Sequence, residues 1–374
     1  MNSVKEKNIS IIRVILKSIS LFILINLLFI LLKDIPYGKI SLYNSVFPGR
    51  ERLPFGEAPY ESFNLTISNL DAMLSSHKIS AYKKTEDEYR IIIIGDSSIW
   101  GLLQKPENTL TGLLENKFDY QCGSKNIEVF NLGYPSLSVL KDLVILDKVK
   151  PYKPDLVIWF ITMESLVAEE QLDTPLIKSN SLIFNKVIKD YQLSYSMKNI
   201  NLLDYTIIGQ KRNLADIIRL QLYGALWAGS GIDQSYPDDY TPAQRDFESD
   251  FSYKNFERDQ IQRDDLAIDV ILKTISGFPE SDFILVNEPI LISSGKNSDI
   301  RYNFYYPRWA YDKYRNIVKS VFEQSAIQYY DFWDLVPESE FTNSAIHLSG
   351  IGEEMLAVKT KALIKNHCKT TGKK

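Results

Sequence analysis

RIIIIGDSSIWG, residues 90–101, sets four consecutive isoleucines directly before a Gly-Asp-Ser-Ser turn. A strand without polar alternation suits a sheet covered on both faces. In open parallel sheets the carboxyl ends of the strands face the ligand crevice. Ser97 is therefore expected at that edge, at a helix amino terminus whose N–H groups can hold an oxyanion. An ordinary capped turn has the same composition, because Asp and Ser are favoured helix caps.

The rhythm repeats on the carboxyl side of this stretch. IEVFNLG, DLVIWFIT, DFILVNEP and IQYYDFW read as further strands. Helical patterns fall between them over roughly 99–118, 138–148, 260–276 and 310–323, with a last helix from about Ile351. Strand–helix alternation at this spacing predicts βαβ units and a doubly wound, mainly parallel α/β sheet over residues 86–374. Residues 166–255 break the pattern with NLADIIRLQLYGALWAG and a Tyr- and Asp-rich stretch, and are expected as a largely helical insertion over one end of the sheet. Residues 34–85, rich in Pro, Gly, Tyr and Asn, read as an ordered lead-in with a short helix near SNLDAMLSSH.

Upstream, residues 18–32 (SISLFILINLLFILL) carry no charge. At 1.5 Å per residue this run spans roughly 22 Å, so the preceding IIRVILK turns are needed to cross about 30 Å of hydrocarbon. Lys5, Lys7, Arg13 and Lys17 precede the run, which predicts a single-pass signal anchor over residues 1–33 with everything after Lys33 outside. KDIPYGK, which follows, lacks the small-residue pattern of a cleavage site.

A net charge of −4 spread over 374 residues gives no basic surface of the kind nucleic acid requires. Cys122 and Cys368 lack zinc or disulfide-framework spacing and are expected as two free thiols, with a single disulfide as the alternative. Three isolated histidines cannot assemble a transition-metal site, and neither GxGxxG nor GxxxxGK[ST] occurs, so no metal or cofactor is expected.

A serine hydroxyl needs an adjacent base. His77 and His367 lie in the lead-in and the terminal tail, where structural roles are expected; His347, in NSAIHLSGIGEEMLA, opens the last helix and can return to the edge that holds Ser97.

With these residues in hand the chain resembles the SGNH (GDSL-like) hydrolases. GDSSIWG is similar to the first conserved block of that family, NLGYPSLS to the second and SAIHLSGIG to the fifth, in the family's order. The resemblance implies Ser97 as nucleophile, Gly133 as a backbone oxyanion donor and His347 as base. It has two departures. Glu164 stands near the position of the family's oxyanion asparagine, and an ionised carboxylate cannot donate a hydrogen bond. Ser344 stands three residues before His347, where the family has the triad aspartate. Asn343 is the residue placed to accept the Nδ1 proton instead; Asp334 and Glu340 are nearby acids.

Asp96, Glu164, Asn287, Tyr302 and Arg308 are expected to face substrate, since aromatic rings beside polar and cationic groups suit sugars, although the same residues could simply pack their loops. Arg50 and Arg52 could meet an anionic headgroup or brace a turn. The reading is a membrane-anchored extracytoplasmic esterase or O-acyltransferase whose partners are the bilayer and an acylated glycan or glycolipid. Its alternative is a catalytically decayed relative that binds glycan or assists envelope assembly.

Overall fold

The computed structural model describes residues 10–47, 49–56, 58–67, 69–117, 121–237, 239–325 and 327–371. Five strands form one parallel sheet: β1 (Glu88–Ile94), β2 (Asn126–Asn131), β3 (Leu156–Ile161), β4 (Asp282–Asn287) and β5 (Gln328–Asp331), in the order β2-β1-β3-β4-β5. The chain leaves β1 toward β2 and then returns to β1's other side as β3. The switch point of a doubly wound sheet therefore falls beside β1, where such folds open their ligand crevice.

The isoleucine run shows why both faces are covered. Ile92 and Ile94 join a core with Val157, Trp159 and Leu285, covered by helices Val139–Val149, Ile268–Ser276 and Arg308–Glu323. Ile91 and Ile93 point the other way, into a second core closed by helices Leu110–Lys117 and Gly350–Thr371. A strand with only one buried face would have needed a polar residue at every second position.

Two expectations need correction. The single helix over 99–118 is two, Ser97–Trp100 and Leu110–Lys117, because Gly101 (φ +85°) and Leu103 (φ +66°) enter the left-handed region and reverse the chain. Cys122 and Cys368 are a disulfide, not free thiols; their Cα atoms lie 5.0 Å apart and the bond pins the last helix to the turn before β2. The lead-in carries a short helix, Leu70–Ser75, and buries Leu53, Leu65, Ile67, Met73 and Ile79 in the first core.

The apolar amino-terminal segment is a helix, Ile11–Leu31, long and apolar enough to cross a membrane, with Asn26 its sole buried residue. Lys5 and Lys7 lie outside the described residues.

Candidate active site

The strand's end dictates the site's geometry. Asp96 caps the short helix Ser97–Trp100, its carboxylate accepting from the Ser98 N–H at 2.9 Å. This leaves Ser97 at the first helical position, where a backbone N–H has no partner within the helix. Every other residue from Ile91 to Trp100 is buried, whereas Ser97 is part-exposed.

Ser97 Oγ lies 2.8 Å from His347 Nε2, although 250 residues separate them. His347 is held from the opposite side, its Nδ1 2.8 Å from Asn343 Oδ1. Thr342 contributes twice: its N–H and its hydroxyl both donate to the His347 carbonyl, fixing the loop. With Nδ1–H donating to the amide oxygen, Nε2 is left as the acceptor facing Ser97. Burial lowers the His347 pKa to about 4, so the ring is neutral at physiological pH. Of the two acids near this loop, Glu340 accepts from the Ser349 hydroxyl and Asp334 is exposed.

Gly133 sits where it must be glycine. A Cβ there would lie 2.5 Å from the Trp100 nitrogen, so the NLG loop packs directly on the backbone of the Ser97 helix. Its N–H, expected to face the oxyanion, donates to Asn131 Oδ1 at 3.0 Å. Lys141, fully buried, donates to the carbonyls of Gly95 and Tyr134 and pairs with Asp142, tying the end of β1 to the same loop.

Beneath the Ser97 helix lies a pair of buried acids. Ser98 Oγ donates to Glu288, and burial followed by the charge on Asp96 pushes the Glu288 carboxyl well above the usual range. Asp96 is raised as well, mainly by burial; its side chain is buried and engaged in capping this helix.

Glu164 follows β3 in the helix Met163–Leu166, which Thr162 caps. Two residues of the insertion hold its carboxylate: Lys254 Nζ pairs with it at 2.5 Å and the Tyr253 hydroxyl donates to it at 3.1 Å. Lys254 also meets Glu170 and holds φ +49°, a left-handed backbone unusual for lysine. Sequence reasoning missed Lys254, which lies ninety residues from its partner; the signal available was indirect, since a carboxylate buried after a strand requires a cation.

Asn287, Tyr302 and Arg308 do not face the crevice. Asn287 is fully buried and bonded to Tyr311, Tyr314 and Asp331. The Tyr302 hydroxyl donates to Asp312, and Arg308 stacks on the Tyr302 ring while donating to the Ser298 carbonyl. All three brace the segment after β4. Arg50 and Arg52 are likewise internal. Arg50 bonds to Asn64 and Tyr43, whereas Arg52 forms a two-pronged pair with Asp233 and also donates to the carbonyls of Gly101 and Gln104. His77 is buried, with Nε2 on the Glu51 carbonyl and Nδ1 accepting from Ile79.

A cavity of about 410 Å³ opens beside Asn343, lined by residues 240–244 of the insertion and Phe304.

No family model and no curated protein matches this chain. Among solved structures, it is similar to a gut microbial diltiazem-metabolizing enzyme at 11% identity and a TM-score of 0.33, over 74% of this chain and 47% of that one, so it spans about half of that protein. It is similar to a carbohydrate acetylesterase family member from Sinorhizobium meliloti at 10% identity and a TM-score of 0.31, over 74% of this chain and 97% of the other. The M. smegmatis aryl esterase aligns at 11% identity and a TM-score of 0.32, over 74% and 98% of the two chains.

Proposed function

We propose that this chain is a membrane-anchored, extracytoplasmic serine esterase or O-acyltransferase of the SGNH type acting on acyl esters of envelope glycans or glycolipids. The observation that carries the reading is the Ser97–His347–Asn343 chain, two contacts of 2.8 Å in series at the switch point of a parallel sheet. Ser97 Oγ attacks the acyl carbonyl while its proton passes to His347 Nε2. The imidazolium then returns that proton to the departing alcohol oxygen, leaving an acyl-serine. Water or an acceptor hydroxyl, deprotonated by the same nitrogen, releases the acyl group. The Ser97 N–H is free by helix position to meet the oxyanion; the Gly133 N–H assists only by sharing its hydrogen with, or releasing it from, Asn131 Oδ1.

The Cys122–Cys368 disulfide supports an oxidising compartment, and Arg13 and Lys17 before the apolar run support the same orientation. The rings of Tyr240 and Phe304 beside Thr241 and Gln244 suit a sugar face. Glu164 favours the second reading, a decayed binding protein, because its carboxylate lies near the edge where a donor is wanted. Lys254 and Tyr253 are the groups that offset it.

The test is acetate release from p-nitrophenyl acetate and an O-acetylated polysaccharide by the detergent-solubilised chain. Loss of activity in both Ser97→Ala and His347→Ala supports the enzyme. Folded protein that neither releases acetate nor labels with a fluorophosphonate moves the assignment to the binding reading.

A further inference from the structure

The insertion helix Lys211–Ser230 turns an apolar face outward. Ile218 and Leu222 are about two-thirds exposed and Leu226 half exposed, at successive i, i+4 positions, while Asp216, Leu220 and Gly224 face inward. Arg212 and Arg219 flank the exposed stripe on one side. The short helix Leu42–Val46 packs alongside: Tyr43 N–H donates to Gln221, and a Cβ on Gly224 would lie 2.4 Å from the Tyr43 ring. Leu42 and Val46 are more exposed still, at 79% and 70%. Aliphatic side chains grouped in this way on a soluble surface are costly unless something covers them.

What covers them follows from the neighbouring anchor. The Ile207 N–H donates to Asn26 Oδ1 at 3.2 Å, and Asn26 is five residues before Leu31, about 7.5 Å inside the end of the apolar helix. Lys33 lies over the Tyr205 ring, and Tyr37 donates to Gln210. The approach to the insertion helix is therefore level with the outer turns of the anchor. An apolar stripe with arginines at its border is the composition of a helix that lies in a membrane interface.

We infer that the helix Lys211–Ser230, together with Leu42–Val46, rests in the outer leaflet of the bilayer crossed by Ile11–Leu31, forming a second, in-plane membrane contact. This rests on the anchor reading above. The occupant is lipid, not a second copy, because the segment that meets the apolar helix at Tyr205, Ile207 and Gln210 runs straight into this helix. The same helix ends at Gly231, two residues before the Asp233 that grips Arg52 and, through it, the loop after Ser97.

Both native cysteines are in the disulfide, so Leu222→Cys or Leu226→Cys in the full chain gives a unique thiol for a nitroxide label. Leu24→Cys in the anchor and Glu107→Cys on the domain surface serve as references. In proteoliposomes of phosphatidylethanolamine and phosphatidylglycerol, labels at 222 and 226 are expected to lose collisions with a water-soluble nickel chelate while keeping those with oxygen, as at Leu24. Nickel reaching 222 and 226 as freely as 107, with Leu24 protected, would overturn the second contact and leave the anchor standing. Nickel reaching Leu24 too would overturn both. Labels at 222 shielded from both reagents, with spin–spin broadening that vanishes on dilution with unlabelled chain, would assign the face to a second copy and overturn the proposal.

Discussion

Replacing Asn343 by aspartate puts a full negative charge where a neutral amide oxygen now sits, 2.8 Å from His347 Nδ1, with no change in side-chain shape. The charge lies roughly 4 Å from the centre of the ring. Attraction at that range is about 4 kcal/mol beneath a protein surface and about 1 kcal/mol in bulk water. Position 343 is exposed while His347 is buried, so about 2 kcal/mol in favour of the imidazolium is the reasonable middle. The wild-type pH–rate profile is expected to have its acid limb near pH 4, where burial places the His347 pKa. In Asn343→Asp the limb moves up by about 1.5 pH units, because an anion favours the protonated ring. The same stabilisation acts on the imidazolium formed during acylation and is worth up to about 30-fold in kcat/KM above the new limb. That is well short of the ~10⁴ an enclosed triad acid supplies, since water screens position 343. Ester hydrolysis followed from pH 3 to 9 in both proteins decides it. An unmoved acid limb with an unchanged rate would refute the role of Asn343 as the residue that orients His347.

Three other outcomes are expected. Burial raises the Glu353 pKa to about 8, so the native state keeps a proton that the unfolded chain releases above about pH 4.5. Stability then falls with rising pH between those values by up to about 1.4 kcal/mol per unit, and denaturant titrations should show Glu353→Gln free of that slope. Lys254→Met strands the Glu164 carboxylate and should cost about 2–4 kcal/mol, with Glu164→Gln in the same chain recovering much of it; additive single effects in the double-mutant cycle would deny the pair its role. Reduction of Cys122–Cys368 should lower stability by about 2–5 kcal/mol in a Cys368→Ser comparison, given the long loop it closes.

The parts of this fold legible in sequence are those with local causes. Unbroken apolar runs announced buried parallel strands, and a serine after the first of them together with a histidine before the last helix located the two residues that meet at 2.8 Å. Contacts set by long-range packing were opaque. Nothing about Cys122 or Cys368 reveals that the last helix crosses back to the edge of β2. Asn287, Tyr302 and Arg308 have the composition of a sugar site, yet Asn287 bonds to the tyrosine-rich helix behind β4 while Arg308 stacks on Tyr302, and composition does not distinguish a face from its reverse. The Gly133 glycine was recognisable, but its N–H is held by Asn131 two residues earlier, a local bond that a block-level resemblance does not encode.

Arg52 carries a consequence for engineering. One guanidinium joins three stretches of chain: its own lead-in, the loop just after Ser97, and Asp233 at the end of the insertion helix. A chimera that exchanges the lead-in or the insertion without supplying a new partner orphans a buried cation or a buried carboxylate beside the loop after Ser97. The two segments are therefore coupled despite the 181 residues between Arg52 and Asp233, and anyone transplanting this domain has to move them together.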